Sequence, residues 1–284
     1  MRRFAAAALL CSALLVLTLS GCRSHEASSA IEALKTAGDM TQNADTETEP
    51  AAELSAGMRL PMLSAGEILN MPAETELSPE RVSTQTARAA FCVTPVPDAV
   101  FARISGISYA DNANVQRSDL RYLRCLHYDY RGRLYTGELI CEYRIADDLL
   151  AIFSALYDAA YPIGSMRLID DFGGSDAASA DANNTYCFNT RSSSGTQKLS
   201  LHSYGLAVDI NPAFNPSVFC GADGSVSIQP QRAEPYADRS ASFPMKLTED
   251  DLCVQLFTEH GFRWGGASPG NPEYQHFEKT DLAK

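Results

Sequence analysis

The sequence predicts an α+β domain, a small antiparallel sheet flanked by helices. Three observations carry that expectation. Residues 121–128 and 133–143 are rich in Leu, Tyr, Cys and Ile and flank Tyr130-Arg-Gly-Arg133, which reads as a β-hairpin. Ile145, Leu149, Ile152, Phe153 and Leu156 recur at helical spacing. Strands and helices then mix without regular β-α-β alternation, which favours an antiparallel sheet.

The elements follow in chain order. Met1-Arg-Arg-Phe4, an apolar run over 5–19 and small residues before Cys22 form a secretory signal peptide over 1–21. The run is too short for a comfortable membrane span. Its Leu19-Ser-Gly-Cys22 ending resembles a bacterial lipobox, which implies cleavage before Cys22, a lipid on that thiol and an extracytoplasmic domain anchored to the bacterial cell membrane. Residues 22–90 are expected to be a disordered acidic tether, with an apolar patch over 58–71. They are rich in Ala, Ser, Thr and Glu and hold no aromatic residue.

From Phe91 to Lys284 the composition is globular, enough for one domain of ordinary size. After the hairpin and its helix, Pro162 is a stop signal. Residues 166–172 read as a strand, and a Gly-, Asp- and Ser-rich loop runs to Asn184. A second helix is expected over 249–260, capped by Thr248 with Asp251 three residues on, and ended by Gly261.

The net charge is −12, and loss of Arg2 and Arg3 with the signal peptide takes it to −14 (−12 − 2). That balance argues against nucleic acid as a partner. Six cysteines follow residue 90: Cys92, Cys125, Cys141, Cys187, Cys220 and Cys253. An even number in an exported domain favours up to three disulfides, with the pairing open.

The chemistry concentrates in two stretches. Ser200-Leu-His-Ser-Tyr-Gly-Leu-Ala-Val-Asp209 offers an imidazole and a carboxylate seven positions apart. A turn at Ser203-Tyr204-Gly205 leading into a short strand brings them together. Glu273-Tyr-Gln-His276 adds a second imidazole with a carboxylate three residues before it, which requires a helical turn or tight loop. Two imidazoles and a carboxylate are the ligand set of a catalytic zinc. His25, His127 and His260 read as a tether residue, a partly buried strand residue and a helix C-terminal cation.

Together these stretches resemble the bacterial zinc D-Ala-D-Ala carboxypeptidases and dipeptidases and the related L-alanyl-D-glutamate endopeptidases. The resemblance covers about residues 98–279. It implies one zinc per chain, held by His202, Asp209 and His276 on the sheet, with Glu273 as general acid/base. Phe188-x-x-Arg191 matches a motif whose arginine faces the substrate. Ser200 and Trp264 are expected to bind substrate. Two features depart from many relatives: Glu replaces Asp at position 273, and no second tryptophan follows Trp264. The resemblance implies a peptidase acting on peptidoglycan stem peptides; the expectation is a monomeric D-alanyl-D-alanine carboxypeptidase, with the L-alanyl-D-glutamate-type endopeptidase as the alternative. A non-catalytic wall-binding lipoprotein and a protease of envelope proteins are the rivals. Glu273 and Arg191 speak against the first, since binding alone requires neither.

Overall fold

The computed structural model describes residues 60–110, 115–191 and 199–283. The chain divides into units at 1–57 and 58–284, and the described residues all lie in the second. The signal peptide, Cys22 and the tether up to residue 59 lie outside the described residues. No helix among the described residues is long and apolar enough to cross a membrane.

Residues 60–90 correct the expected tether boundary, because they are folded. Ser64 caps α1 (Ala65–Asn70) through a capping box with Glu67. A two-residue strand β1 (Glu76–Leu77) follows, then α2 (Thr84–Ala90), capped by Ser83. Leu63, Ile68, Leu77, Ala87 and Ala90 are buried with Leu126 and Leu134 of the hairpin. The apolar patch at 58–71 supplies the first two of these.

β2 (Cys92–Pro95) and α3 (Asp98–Ile104) lead into the hairpin, β3 (Leu120–Tyr128) and β4 (Leu134–Glu142). Asp129 closes its turn by accepting from Arg131 N and Arg133 N at 2.8 and 2.9 Å. These strands make a four-stranded antiparallel sheet in the order β1-β4-β3-β2. α4 (Ala146–Asp158) packs on β3 and ends four residues before Pro162.

The expected strand over 166–172 shrinks to β5 (Ser165–Met166), because Ile169–Phe172 winds into a 3₁₀ turn. Within the expected loop lies α5 (Asp176–Asp181), followed by β6 (Asn184–Thr185), which pairs in parallel with β5. β7 (Ala207–Asp209), β8 (Ser217–Cys220) and β9 (Val226–Gln229) come next. The last helix, α6 (Leu252–Glu259), starts later than expected. Asp251, not Thr248, caps it by accepting from Cys253 N at 2.8 Å. Gly261 ends it with φ +76°, as its position predicts. β10 (Arg263–Trp264) and β11 (His276–Glu278) complete a three-stranded antiparallel sheet in the order β10-β11-β7.

One core joins these parts. Leu123 and Leu139 of the large sheet, Phe153 of α4 and Phe257 of α6 meet Val208 and Phe277 of the small sheet. Val208 and Phe277 are register partners with no exposed surface. Side chains alternate along a strand, so the next residues, Asp209 and His276, face the other way. Burying Val208 and Phe277 therefore sets where the site lies.

The six cysteines are free thiols, which corrects the expected disulfides. Cys125 and Cys141 share a face of the hairpin, but Cys125 pairs with Gly137, four residues from Cys141. That offset is about 13 Å, beyond disulfide reach. Cys92 sits opposite Arg124 and so faces away from Cys125.

Candidate metal centre

Each ligand is set by local backbone. Ser200 Oγ accepts from His202 N at 3.3 Å and starts the 3₁₀ turn Leu201–Tyr204. Gly205 closes that turn with φ +67°, and a Cβ there would lie 2.7 Å from Glu142 N. Only glycine meets both demands. The chain then enters β7 and delivers Asp209. In the second stretch His276 N donates to Glu273 O at 3.1 Å, forming the expected tight turn before β11. Gly265 lies against that turn, and a Cβ on it would stand 2.7 Å from Glu273 O and 3.2 Å from His276 Cβ.

Asp209 and His276 are register partners across β7 and β11, whereas His202 comes from the 3₁₀ turn beside the sheet. Two of the three side chains thus sit on strands. His276 Nδ1 is 3.0 Å from Asp209 Oδ1, and His202 Nε2 is 3.3 Å from both. A tetrahedral ion with bonds of 2.0–2.1 Å needs ligand atoms about 3.3–3.4 Å apart. The triangle matches that size.

The proton positions also fit a cation. His202 Nδ1 is 2.6 Å from the Cys187 carbonyl, which only accepts, so Nδ1 carries the hydrogen. His276 Nε2 is 3.2 Å from Glu278 Oε2, so its hydrogen sits there. In the neutral rings both remaining nitrogens, His202 Nε2 and His276 Nδ1, point lone pairs at each other and at Asp209. Such convergence of acceptors calls for a positive charge between them. His202, Asp209 and His276 are therefore a candidate metal centre.

The electrostatics agree. Burial lowers the His276 pKa, but hydrogen bonds to Asp209 and Glu278 outweigh it and raise it to about 10. Burial raises Asp209, yet His202 and His276 hold it far below the usual carboxylate range. Burial also raises Glu278, while His276 and Arg263 pull it down to about 2. Without metal, a proton on His276 does the neutralising.

The site opens on a cleft of about 1340 Å³ that runs along the β8–β9 hairpin. Glu273 and Arg191 line it with Asp209 and His276, while His202 is fully buried behind them. Among the described residues no hydrogen bond holds the Glu273 carboxylate. Arg191 lies against Asp176, and its Nη2 donates to the Tyr186 hydroxyl at 3.4 Å. Ser200 lines the cleft while capping the His202 turn. Trp264 is 8% exposed, belongs to the core, is not among the cleft's lining residues and donates Nε1 to Tyr274 O at 2.8 Å.

Three supporting residues escaped the sequence reading. Tyr186 stacks on His202 with ring centroids 4.9 Å apart, Glu278 orients His276, and Asp176 faces Arg191. Glu278 alone left a trace, an acid two positions after a ligand in a strand.

The ligand set, its proton positions and its cleft describe a candidate metal centre open to a ligand. Residues 194–279 match the sequence model of a family described as D-alanyl-D-alanine carboxypeptidase. The match takes in all three ligands, Ser200, Trp264 and Glu273, and leaves Arg191 just outside. Zinc peptidase chemistry is thereby supported at family level for this segment. No curated protein matches the chain, and no solved structure does.

Proposed function

We propose that this protein is a zinc-dependent D-alanyl-D-alanine carboxypeptidase that trims peptidoglycan stem peptides. The observation that carries the reading is the triangle of His202 Nε2, Asp209 Oδ1 and His276 Nδ1, with Glu273 and Arg191 lining the cleft onto which it opens. Zinc, when bound there, supplies a Lewis acid and lowers the pKa of a coordinated water to about 7. Glu273 takes a proton from the attacking water and returns it to the leaving amine. Arg191 carries a permanent charge and faces the oxyanion that develops on the scissile carbonyl. Cys187 O and Glu278 hold the two imidazoles in the tautomers that bind metal.

The cleft's extent along β8–β9 favours a second reading, an L-alanyl-D-glutamate-type endopeptidase, because it takes a stem peptide on both sides of the cut. In either case the N-terminal sequence supports export, with a lipid on Cys22 holding a monomeric domain at the membrane.

Zinc-loaded protein is incubated with defined muropeptides, with and without chelator, and products are weighed by mass spectrometry. Loss of one terminal alanine supports the carboxypeptidase, and an internal cut supports the endopeptidase. No chelator-sensitive product overturns both.

A further inference from the structure

One cleft carboxylate has no part in the reaction so far. Asp176 stands in the first turn of α5. Its Oδ1 accepts from the Tyr186 hydroxyl at 2.6 Å and from Asn189 Nδ2 at 3.0 Å. Its Oδ2 faces Nε of Arg191. Tyr186 has one hydroxyl hydrogen, and Asp176 takes it. The phenol oxygen is left as an acceptor, and Arg191 Nη2 approaches it at 3.4 Å. Carboxylate and phenol thus stand against two edges of one guanidinium, the carboxylate as a close counter-charge and the phenol as an acceptor.

The same tyrosine belongs to the metal centre. Its ring lies nearly flat on His202, at 20° between planes, and its carbonyl accepts from Asp209 N at 3.0 Å. Arg191 N in turn donates to Ser203 Oγ at 2.8 Å, next to His202. A long arginine side chain on an open cleft otherwise samples many rotamers. Here it is fixed against residues that also carry the ligands.

We propose that Asp176 is a positioning residue, which fixes the Arg191 guanidinium relative to the metal centre through Tyr186. The inference rests on the peptidase reading, in which Arg191 faces the reacting carbonyl. A preorganised cation stabilises a developing oxyanion only when it is already in place.

The test crosses Asp176→Ala and Asp176→Asn with Arg191→Ala. The readouts are zinc content, hydrolysis of a synthetic pentapeptide ending in D-Ala-D-Ala, and a crystal structure of Asp176→Ala. Zinc content is expected to stay at the wild-type level in all variants. With Asp176→Ala, kcat is expected to fall about 10–100-fold, less than the loss of a whole oxyanion donor, and KM is expected to change less than kcat. With Asp176→Asn, which keeps an acceptor for Tyr186, the loss is expected to be smaller. In the Arg191→Ala background, Asp176→Ala is expected to cost nothing more. Multiplicative losses, an unchanged kcat or a loss of zinc would each overturn the proposal. The crystal structure judges it without activity, since a guanidinium that stays in place in Asp176→Ala overturns it. A wild-type protein that leaves the pentapeptide intact instead removes the carboxypeptidase reading.

Discussion

His276 stands directly opposite Asp209 across two antiparallel strands, with Nδ1 3.0 Å from Oδ1. A histidine and an aspartate in register usually make an ion pair. Here His202 Nε2 reaches the same point from outside the sheet, so the pair is two-thirds of a candidate metal cage. Zinc content should therefore depend on each of the three residues. His202→Ala and Asp209→Ala are expected to lose most bound zinc by elemental analysis. Glu278→Gln, which keeps all three ligands, should weaken zinc affinity by about 10–100-fold. Full occupancy in the ligand variants would show that the triangle is an ordinary buried polar cluster.

Glu273 separates binding from turnover. It lines the cleft but belongs to no ligand pair, so Glu273→Gln should keep zinc. Its kcat should fall by about 10²–10⁴-fold, the usual worth of a general acid/base. Near-normal turnover of stem peptides by that variant would take the proton-transfer role away from Glu273.

The ligands were legible because their motifs contain their own geometry. Gly205 and the Glu273–His276 turn are local devices, and both direct ligands by backbone alone. Tyr186, Asp176 and Cys187 O were not legible, since tertiary packing brings them to His202 and Arg191 from elsewhere. The hairpin and α4 showed in periodicity. The folded segment over 60–90 did not, because it buries small or scattered side chains such as Ala87, Ala90 and Ile68 within a polar composition. The α6 start was misplaced because Thr248 and Asp251 are both good caps, and Asp251 is the one whose carboxylate reaches Cys253 N.

Gly265 is a packing constraint on the site. Its missing side chain leaves room for Glu273 O and His276 Cβ. Gly265→Ala must push the Glu273–His276 turn outward, at about 1–3 kcal/mol of overpacking. The expected outcome is a lower melting temperature together with reduced zinc affinity. Wild-type zinc affinity in this variant would mean that the turn yields without moving His276.

The thiols offer a direct check on the fold. Cys220 is exposed, whereas Cys125, Cys141, Cys187 and Cys253 are buried, and burial raises the pKa of all four. A chain beginning at Met58 should show six free thiols after denaturation and one that reacts rapidly when folded. A reductant should leave its melting temperature unchanged. A mass two or more hydrogens lighter than the reduced chain would reveal a disulfide and contradict the free thiols of this fold.

Acidity should act in opposite directions on the empty and the loaded site. In metal-free protein His276 has a pKa of about 10 against an ordinary 6.5. Its contribution to stability is complete below about pH 6.5 and is lost as pH rises through 10. Glu278, held at about 2 against an ordinary 4.5, contributes fully above about 4.5 and loses that contribution as pH falls through 2. The metal-free cluster thus supports the fold best between these windows, near pH 5–6. Zinc needs the His276 proton gone, so its stabilisation grows as pH rises. At fixed zinc concentration, the melting-temperature gap between zinc-loaded and chelator-treated protein should widen from pH 6 to pH 9. A constant or narrowing gap would mean that zinc and the proton on His276 do not compete for the same place.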